Sequence, residues 1–225
     1  MLDEPLGMTV HSLPTPGGDG DVAQRTFAGR WRLYAVLAVC AAPVLASYFA
    51  YYVVRPDTRR SYGELIDPQR PIPPMAAIAL DGKSSPLTAL KGQWVLISVA
   101  GGSCDAACEK QLYLQRQLRE TLGRDKDRMD RVWLVADDQP VRAALLPALE
   151  QAAVLRVRKE DLARWLQPAP GRELQDHLYL VDPLGNWMLR FPAGLDSASA
   201  SEARRDLNRV LRASAGWDKP GRSAP

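Results

Sequence analysis

The rhythm of apolar and polar positions changes along this chain. From Leu33 to Val54 no residue is charged, and Leu, Val, Ala and Tyr dominate. At about 1.5 Å per residue such a run spans roughly 33 Å, enough for a bilayer core of about 30 Å. It predicts a transmembrane helix over 33–54. Pro43 inside it is tolerable where packing neighbours re-satisfy freed backbone groups. Tyr48, Tyr51 and Tyr52 gather toward one end, as interfacial aromatics do. A cleaved signal peptide fits less well: a long polar segment precedes the run, and the run exceeds the usual apolar stretch of about 7–15 residues.

On either side the periodicity disappears. Residues 1–30, rich in Gly, Pro and Thr (SLPTPGGDGD), read as a disordered segment. The proline-rich stretch 55–74 (DPQRPIPP) reads as an extended, stiff tether. Residues 75–215 form the globular part, and 216–225 read as a flexible tail.

Within 75–215 the pattern alternates between strands and helices. Ala76–Leu80 predicts a short strand closed by the turn dipeptide Asp81-Gly82. Trp94–Ala100 is a continuous apolar strand, followed by an amphipathic helix over about 105–122 with Leu112, Leu118 and Leu122 on or near one face. Arg131–Ala136 is a second apolar strand. Pro140 opens a helix to about Gln151, followed by a short strand at Ala153–Val157 and a helical turn at Lys159–Leu166. His177–Val181 is a third strand, turning at Asp182-Pro183-Leu184-Gly185-Asn186 into Trp187–Phe191. The last helix starts at a capping box, Ser199-x-x-Glu202. Apolar strands alternating with helices predict an α/β fold: a mixed sheet flanked by helices, preceded by one transmembrane helix.

Charge narrows this picture little. The net charge is +3, with both signs interspersed. Arg204, Arg205, Arg209 and Arg212 read as one solvated helix face, not a nucleic-acid surface. Arg25, Arg30 and Arg32 before the apolar run balance Arg55, Arg59 and Arg60 after it, so the positive-inside rule gives no orientation.

The candidate chemistry lies at Cys104 and Cys108, where the strand Trp94–Ala100 passes through Gly101-Gly102-Ser103 into a helix. Thiols at a helix N-terminus feel the positive end of its dipole, which favours the thiolate, the form that attacks disulfides and binds soft metals. At i and i+4 the two sulfurs share a face, within reach of a disulfide or of one ion. Cys40 falls in the apolar run, so the globular part holds a single pair, too few for a disulfide scaffold. Two thiolates and one imidazole, His177, suit Cu(I) better than zinc, which calls for four ligands. Asp137-Asp138 read as turn and cap residues ahead of Pro140.

The runs LDGKSSPLTALKGQWVLISV, C-x-x-x-C and HLYLVDPLGNWMLRF together resemble the Sco/SenC branch of the thioredoxin superfamily, membrane-tethered proteins that help deliver copper to cytochrome c oxidase. The resemblance covers nearly all the chain after residue 33. It implies a thioredoxin-like domain with Cys104 and Cys108 as redox-active or Cu(I)-binding residues and His177 as third ligand. It also implies a partner among cytochrome c oxidase subunits or assembly factors, and a single-pass anchor in a bacterial inner membrane with the domain in the periplasm. Aligning the hairpins puts Leu174 at the family's histidine position, with His177 three residues later. Asp176 stands where redox-active relatives carry a proline. Three functions stay open on the residues: copper delivery, thiol–disulfide reduction of a partner, and a pure interaction module.

Overall fold

The computed structural model describes residues 19–54 and 61–221, which fall into two units. The first is helix α1, Asp19–Phe49, whose last turn widens into a π-type segment, Ala50–Val54. Within it Gly29–Val53 has a mean hydropathy of 2.0, long and apolar enough to cross a membrane. The tyrosine rings at 48 and 52 lie 4.4 Å apart at that end. The helix starts well inside the stretch expected to be disordered. Once the apolar run nucleates a helix, each further turn costs little, and the Ala, Gln and Arg upstream are acceptable helix formers. Residues 1–18 lie outside the described ones.

The second unit is built on one sheet of eight strands: β1 Glu64–Pro71, β2 Ala76–Ala79, β3 Ser84–Pro86, β4 Trp94–Ala100, β5 Met129–Val135, β6 Ala152–Arg156, β7 Leu178–Val181 and β8 Asn186–Arg190. Their order across the sheet is β1-β8-β7-β4-β5-β6-β2-β3. The central strands β4, β5 and β6 are parallel, and the remaining pairings are antiparallel. Helix α2, Ala106–Glu120, makes the crossover from β4 to β5. Helices α3, Lys159–Trp165, and α4, Ala200–Ala213, follow later in the chain.

Strand β4 is buried along its whole length, and its alternating side chains feed two cores. Trp94 and Leu96 pack with Leu114 and Leu118 of α2 and Leu207 and Leu211 of α4. Val95, Ile97 and Val99 pack on the other side with Leu162 and Trp165 of α3. A period of two in a strand covered on both faces requires this division. The buried Gln115 pins α2 to the sheet, donating to the carbonyls of Leu96 at 2.7 Å and Val132 at 3.0 Å. The mixed sheet with helices on both faces is the α/β arrangement the sequence predicts.

Three expectations give way. Of the tether expected over 55–74, Glu64–Pro71 form strand β1, paired with β8, and residues 55–60 lie outside the described ones. The strand lies at the sheet edge, where proline is admissible because one side of the strand makes no ladder bonds. Its approach is also docked: the buried Asp206 of α4 accepts from the Gly63 amide at 2.9 Å and the Ser61 hydroxyl at 3.2 Å. Second, the helix after Pro140 is a 3₁₀ segment, Ala143–Leu149, with Pro147 inside it; that proline lacks the N–H an α-helix needs. Third, Ser199 makes no capping bond into α4. Its hydroxyl turns back to Asp196 Oδ1 at 2.7 Å.

The expected flexible tail is held as far as Asp218, a buried residue whose Oδ2 receives Nη2 of Arg128 at 2.8 Å. Residues 222–225 lie outside the described ones.

Candidate functional site

At the C-terminal end of β4 the chain turns through Gly101-Gly102-Ser103, and Cys104 adopts a left-handed φ of 43°. Its amide closes a turn on the Gly101 carbonyl at 3.2 Å. Cys104 therefore precedes the helix instead of opening it. The N-cap of α2 is Asp105, whose Oδ1 accepts from the Cys108 amide at 2.9 Å. Cys104 and Cys108 are joined in a disulfide with Cα atoms 5.2 Å apart. The sequence places both sulfurs on one helical face; in fact the left-handed turn brings Cys104 back over the first turn of α2.

Two glycines make this turn possible for a reason outside it. The loop after β5 comes so close that a side chain on Gly101 would run into the Asp137 carboxylate, and one on Gly102 into the backbone of Gln139, whose carbonyl carbon lies 2.8 Å from the Cβ position. Asp137 Oδ1 in turn accepts from the Gly102 amide at 2.8 Å. Arg156 of β6 holds the same loop, donating to the Asp137 carbonyl and to that of Gln139 at 3.0 Å. Asp137, a turn residue by sequence, thus also holds the cysteine loop. Asp138 has no comparable bond to that loop among the described residues.

Both cysteines are largely buried, Cys104 at 2% and Cys108 at 7% exposure. They pack with Ala100, Leu112, Trp133 and Val135. The Trp133 indole N–H is buried without a hydrogen-bond partner. The pair lines one side of a cleft of about 640 Å³, with Lys159, Arg172, Glu173 and Asp176 among its other lining residues. Arg142, from the β5–β6 connection, donates to the Cys104 carbonyl at 2.7 Å and pairs with Glu109 of α2. It lies 38 residues from Cys104 in sequence, and no spacing or motif marks it in advance.

His177 does not join the cysteines. It is 1% exposed and is absent from the cleft lining. Its Nδ1 faces the Phe191 carbonyl at 2.8 Å, and its Nε2 accepts from the Ala169 amide at 3.1 Å. One nitrogen donates and the other accepts, which fixes a neutral tautomer with no lone pair free for a metal. Among the described residues no group of three or more His, Cys, Asp or Glu side chains is placed to hold an ion. Of the three expected donors, the structure brings the two sulfurs together and places the imidazole on the backbone of Ala169 and Phe191.

Burial, the largest influence on His177, pushes its pKa below the usual imidazole value, with the neighbouring positive charge of Arg190 acting the same way; the Phe191 carbonyl and Asp176 oppose the shift. The unfolded chain therefore takes up a proton at a higher pH than the folded one. The stability this group contributes is complete above about pH 6.5 and falls as pH drops below that value. The urea midpoint of the detergent-solubilised chain should decline more steeply from pH 7 to pH 5 than that of His177→Gln. Parallel pH profiles would contradict the neutral, backbone-bound histidine.

Comparisons with known proteins add the following. The family profile described as "Transmembrane-like, thioredoxin-like, C-terminal domain" matches residues 94–214. No curated protein matches significantly. Among solved structures, the chain is similar to copper-bound ScoI of Arabidopsis thaliana, with 15% identity, a TM-score of 0.47, and 61% of this chain and 98% of that chain covered. It is also similar to a SCO1/SenC family lipoprotein of Bacillus anthracis, at 17% identity and a TM-score of 0.47 over 65% and 99% of the two chains. The thioredoxin domain of a thiol-disulfide oxidoreductase from Bacteroides vulgatus gives 19% identity and a TM-score of 0.43 over 64% and 94%.

Proposed function

The chain belongs to the transmembrane-like, thioredoxin-like C-terminal domain family, and from that premise we propose that Cys104 and Cys108 exchange disulfides with cysteines of a partner at a membrane surface. The observation that carries this reading is the disulfide itself, formed across the entrance to α2 and opening onto a cleft. A pair that only stapled the fold would have no need of that cleft.

In the forward direction the reduced pair donates two electrons. The Cys104 thiolate attacks one sulfur of a partner disulfide, forming a mixed disulfide, and the partner's other sulfur leaves as a thiolate and takes a proton from water. Cys108 then loses its proton and attacks the Cys104 sulfur. This closes the Cys104–Cys108 disulfide and releases the partner's second thiolate. A dithiol donor restores the reduced pair. The helix entrance favours the thiolate at both steps.

Delivery of copper to cytochrome c oxidase is the narrower reading. It treats copper as cargo and asks for a third donor beside the two sulfurs, and His177 does not fit that part. Cysteines that are to take copper must first be thiolates, so a domain that reduces them serves oxidase assembly without carrying the ion. Under this reading the partner is an oxidase subunit or assembly factor, and the anchored domain faces the periplasm of a bacterial inner membrane.

The test is a redox titration of the full chain in detergent against dithiothreitol buffers, followed by tryptophan emission, since Trp133 packs with the pair. One two-electron transition is expected, moving about 30 mV per tenfold change in the dithiol-to-disulfide ratio. A pair that the folded protein never releases to dithiothreitol would overturn the reading.

A further inference from the structure

The chain enters its globular unit on α4. Asp206 of that helix accepts from the Gly63 amide and the Ser61 hydroxyl, and Tyr62 between them packs on the cluster that holds Leu207 and Leu211. The apolar helix ends at Val54, seven residues before Ser61. Seven residues reach at most about 25 Å when fully extended. A bilayer that holds the apolar run is therefore tethered within that distance of the docked entry.

Helix α4 spends one face on the core, burying Ala203, Leu207 and Leu211. The opposite face carries Arg204, Arg205, Arg209 and Arg212, all exposed, with Asn208 among them. At 3.6 residues per turn the four arginines share an arc of about 140°. Two carboxylates oppose them: Glu202 pairs with Arg205, and the buried Asp206 with Arg209. Arg204 and Arg212 make no ion pair among the described residues. Just past the helix Trp217 is exposed, a ring of the type enriched at membrane–water interfaces. Like charges gathered on one helix face repel one another, and an anionic layer turns that cost into attraction.

We propose that the arginine face of α4 docks on the anionic phospholipid headgroups of the membrane that α1 spans. Each guanidinium presents a planar fork of N–H donors that matches a phosphate. The apolar face of α4 stays in the core, so the contact is electrostatic and the helix does not insert. An acidic protein could meet the same charges, but the short connection keeps the bilayer at high effective concentration. The proposal rests on the anchored reading of α1 and not on the exchange chemistry.

The experiment places a water-sensitive nitrobenzoxadiazole label at Asn208→Cys in a Cys40→Ser background, with Cys104 and Cys108 left joined. The full chain is reconstituted into vesicles of phosphatidylcholine, alone or with phosphatidylglycerol. Emission should be about twofold higher with the anionic lipid. The gain should vanish in 1 M salt, where the Debye length falls to about 3 Å, and most of it should be lost in the Arg204→Gln, Arg212→Gln double variant. The same label at Lys83→Cys, between β2 and β3 at the sheet edge opposite β1, should not respond. Equal emission from Asn208→Cys in the two kinds of vesicle overturns the proposal and leaves the face to water or to an acidic protein. An equal gain at both label positions overturns it as well, since attraction of the whole domain would suffice. A chain that alkaline carbonate strips from the vesicles overturns the anchored reading and this proposal with it, and leaves the exchange chemistry to its own test.

Discussion

Replacing Cys104 with serine is expected to reduce disulfide exchange to the protein-free rate, while Cys108→Ser leaves a mixed disulfide that accumulates. The asymmetry follows from the two steps. Without Cys104 no attack begins. Without Cys108 the attack succeeds but nothing resolves it, because the second thiol that completes the transfer is missing. The measurement uses a small disulfide reporter, with intact mass after acid quenching. In a Cys40→Ser background the intact pair should turn over in the presence of dithiothreitol and Cys104→Ser should not; with dithiothreitol removed before the reporter is added, Cys108→Ser should carry one reporter half on Cys104. Wild-type turnover in Cys104→Ser, or no reporter on Cys104 in Cys108→Ser, would remove the pair from the chemistry. Stability should change less than activity, because the bridge closes a loop of only a few residues, for which the unfolded-state contribution is at the low end.

The second large effect lies away from the cleft. Asp218→Ala is expected to destabilise the domain by about 3–5 kcal/mol, the usual consequence of removing one partner of a buried ion pair. The side chain of Asp218 is fully buried and that of Arg128 is 9% exposed. Arg128 reaches Asp218 Oδ2 through Nε at 3.1 Å and Nη2 at 2.8 Å, and Nη2 also donates to the Leu211 carbonyl and the Ser214 hydroxyl. Ser214 in turn accepts from the Trp94 indole at 3.0 Å. One guanidinium thus joins the approach to β5, the end of α4 and the closing segment. Losing the carboxylate leaves a largely buried cation with one exposed-side partner, Asp125. Urea unfolding at pH 7 would report it. A change below about 1 kcal/mol, the value of a surface pair, would mean the closing segment is dispensable and the arginine finds solvent.

Much of this architecture is local in origin, and local patterns can be read from a sequence. The uncharged run before residue 54 can only be apolar surface along a helix. The unbroken apolar strand WVLISVA requires cover on both faces, and receives it from α2 and α4 on one side and α3 on the other. Gly-Gly-Ser followed by two cysteines four apart marks a strand-to-helix turn that brings the two sulfurs together. Each of these depends on side chains within a few residues of one another, so composition and period suffice.

The errors and omissions share one cause: they depend on what another part of the chain brings. The proline-rich stretch looks like a tether until β8 is available to pair with it and Asp206 to accept its amides. Tail residues look free until Arg128 arrives from 90 positions away. Among the described residues His177 is the one histidine and so a natural third ligand by elimination, yet the backbone of Ala169 and Phe191 claims both its nitrogens. Arg142 carries no motif, and only the β5–β6 connection folding over the cysteine loop places it on the Cys104 carbonyl. The sequence by itself determined the central strands, the long apolar helix and the place of the cysteine pair, because propensity and periodicity act over short separations. Tertiary structure alone decided which groups surround the pair, because a hydrogen bond or ion pair between distant residues leaves no trace in the spacing of either.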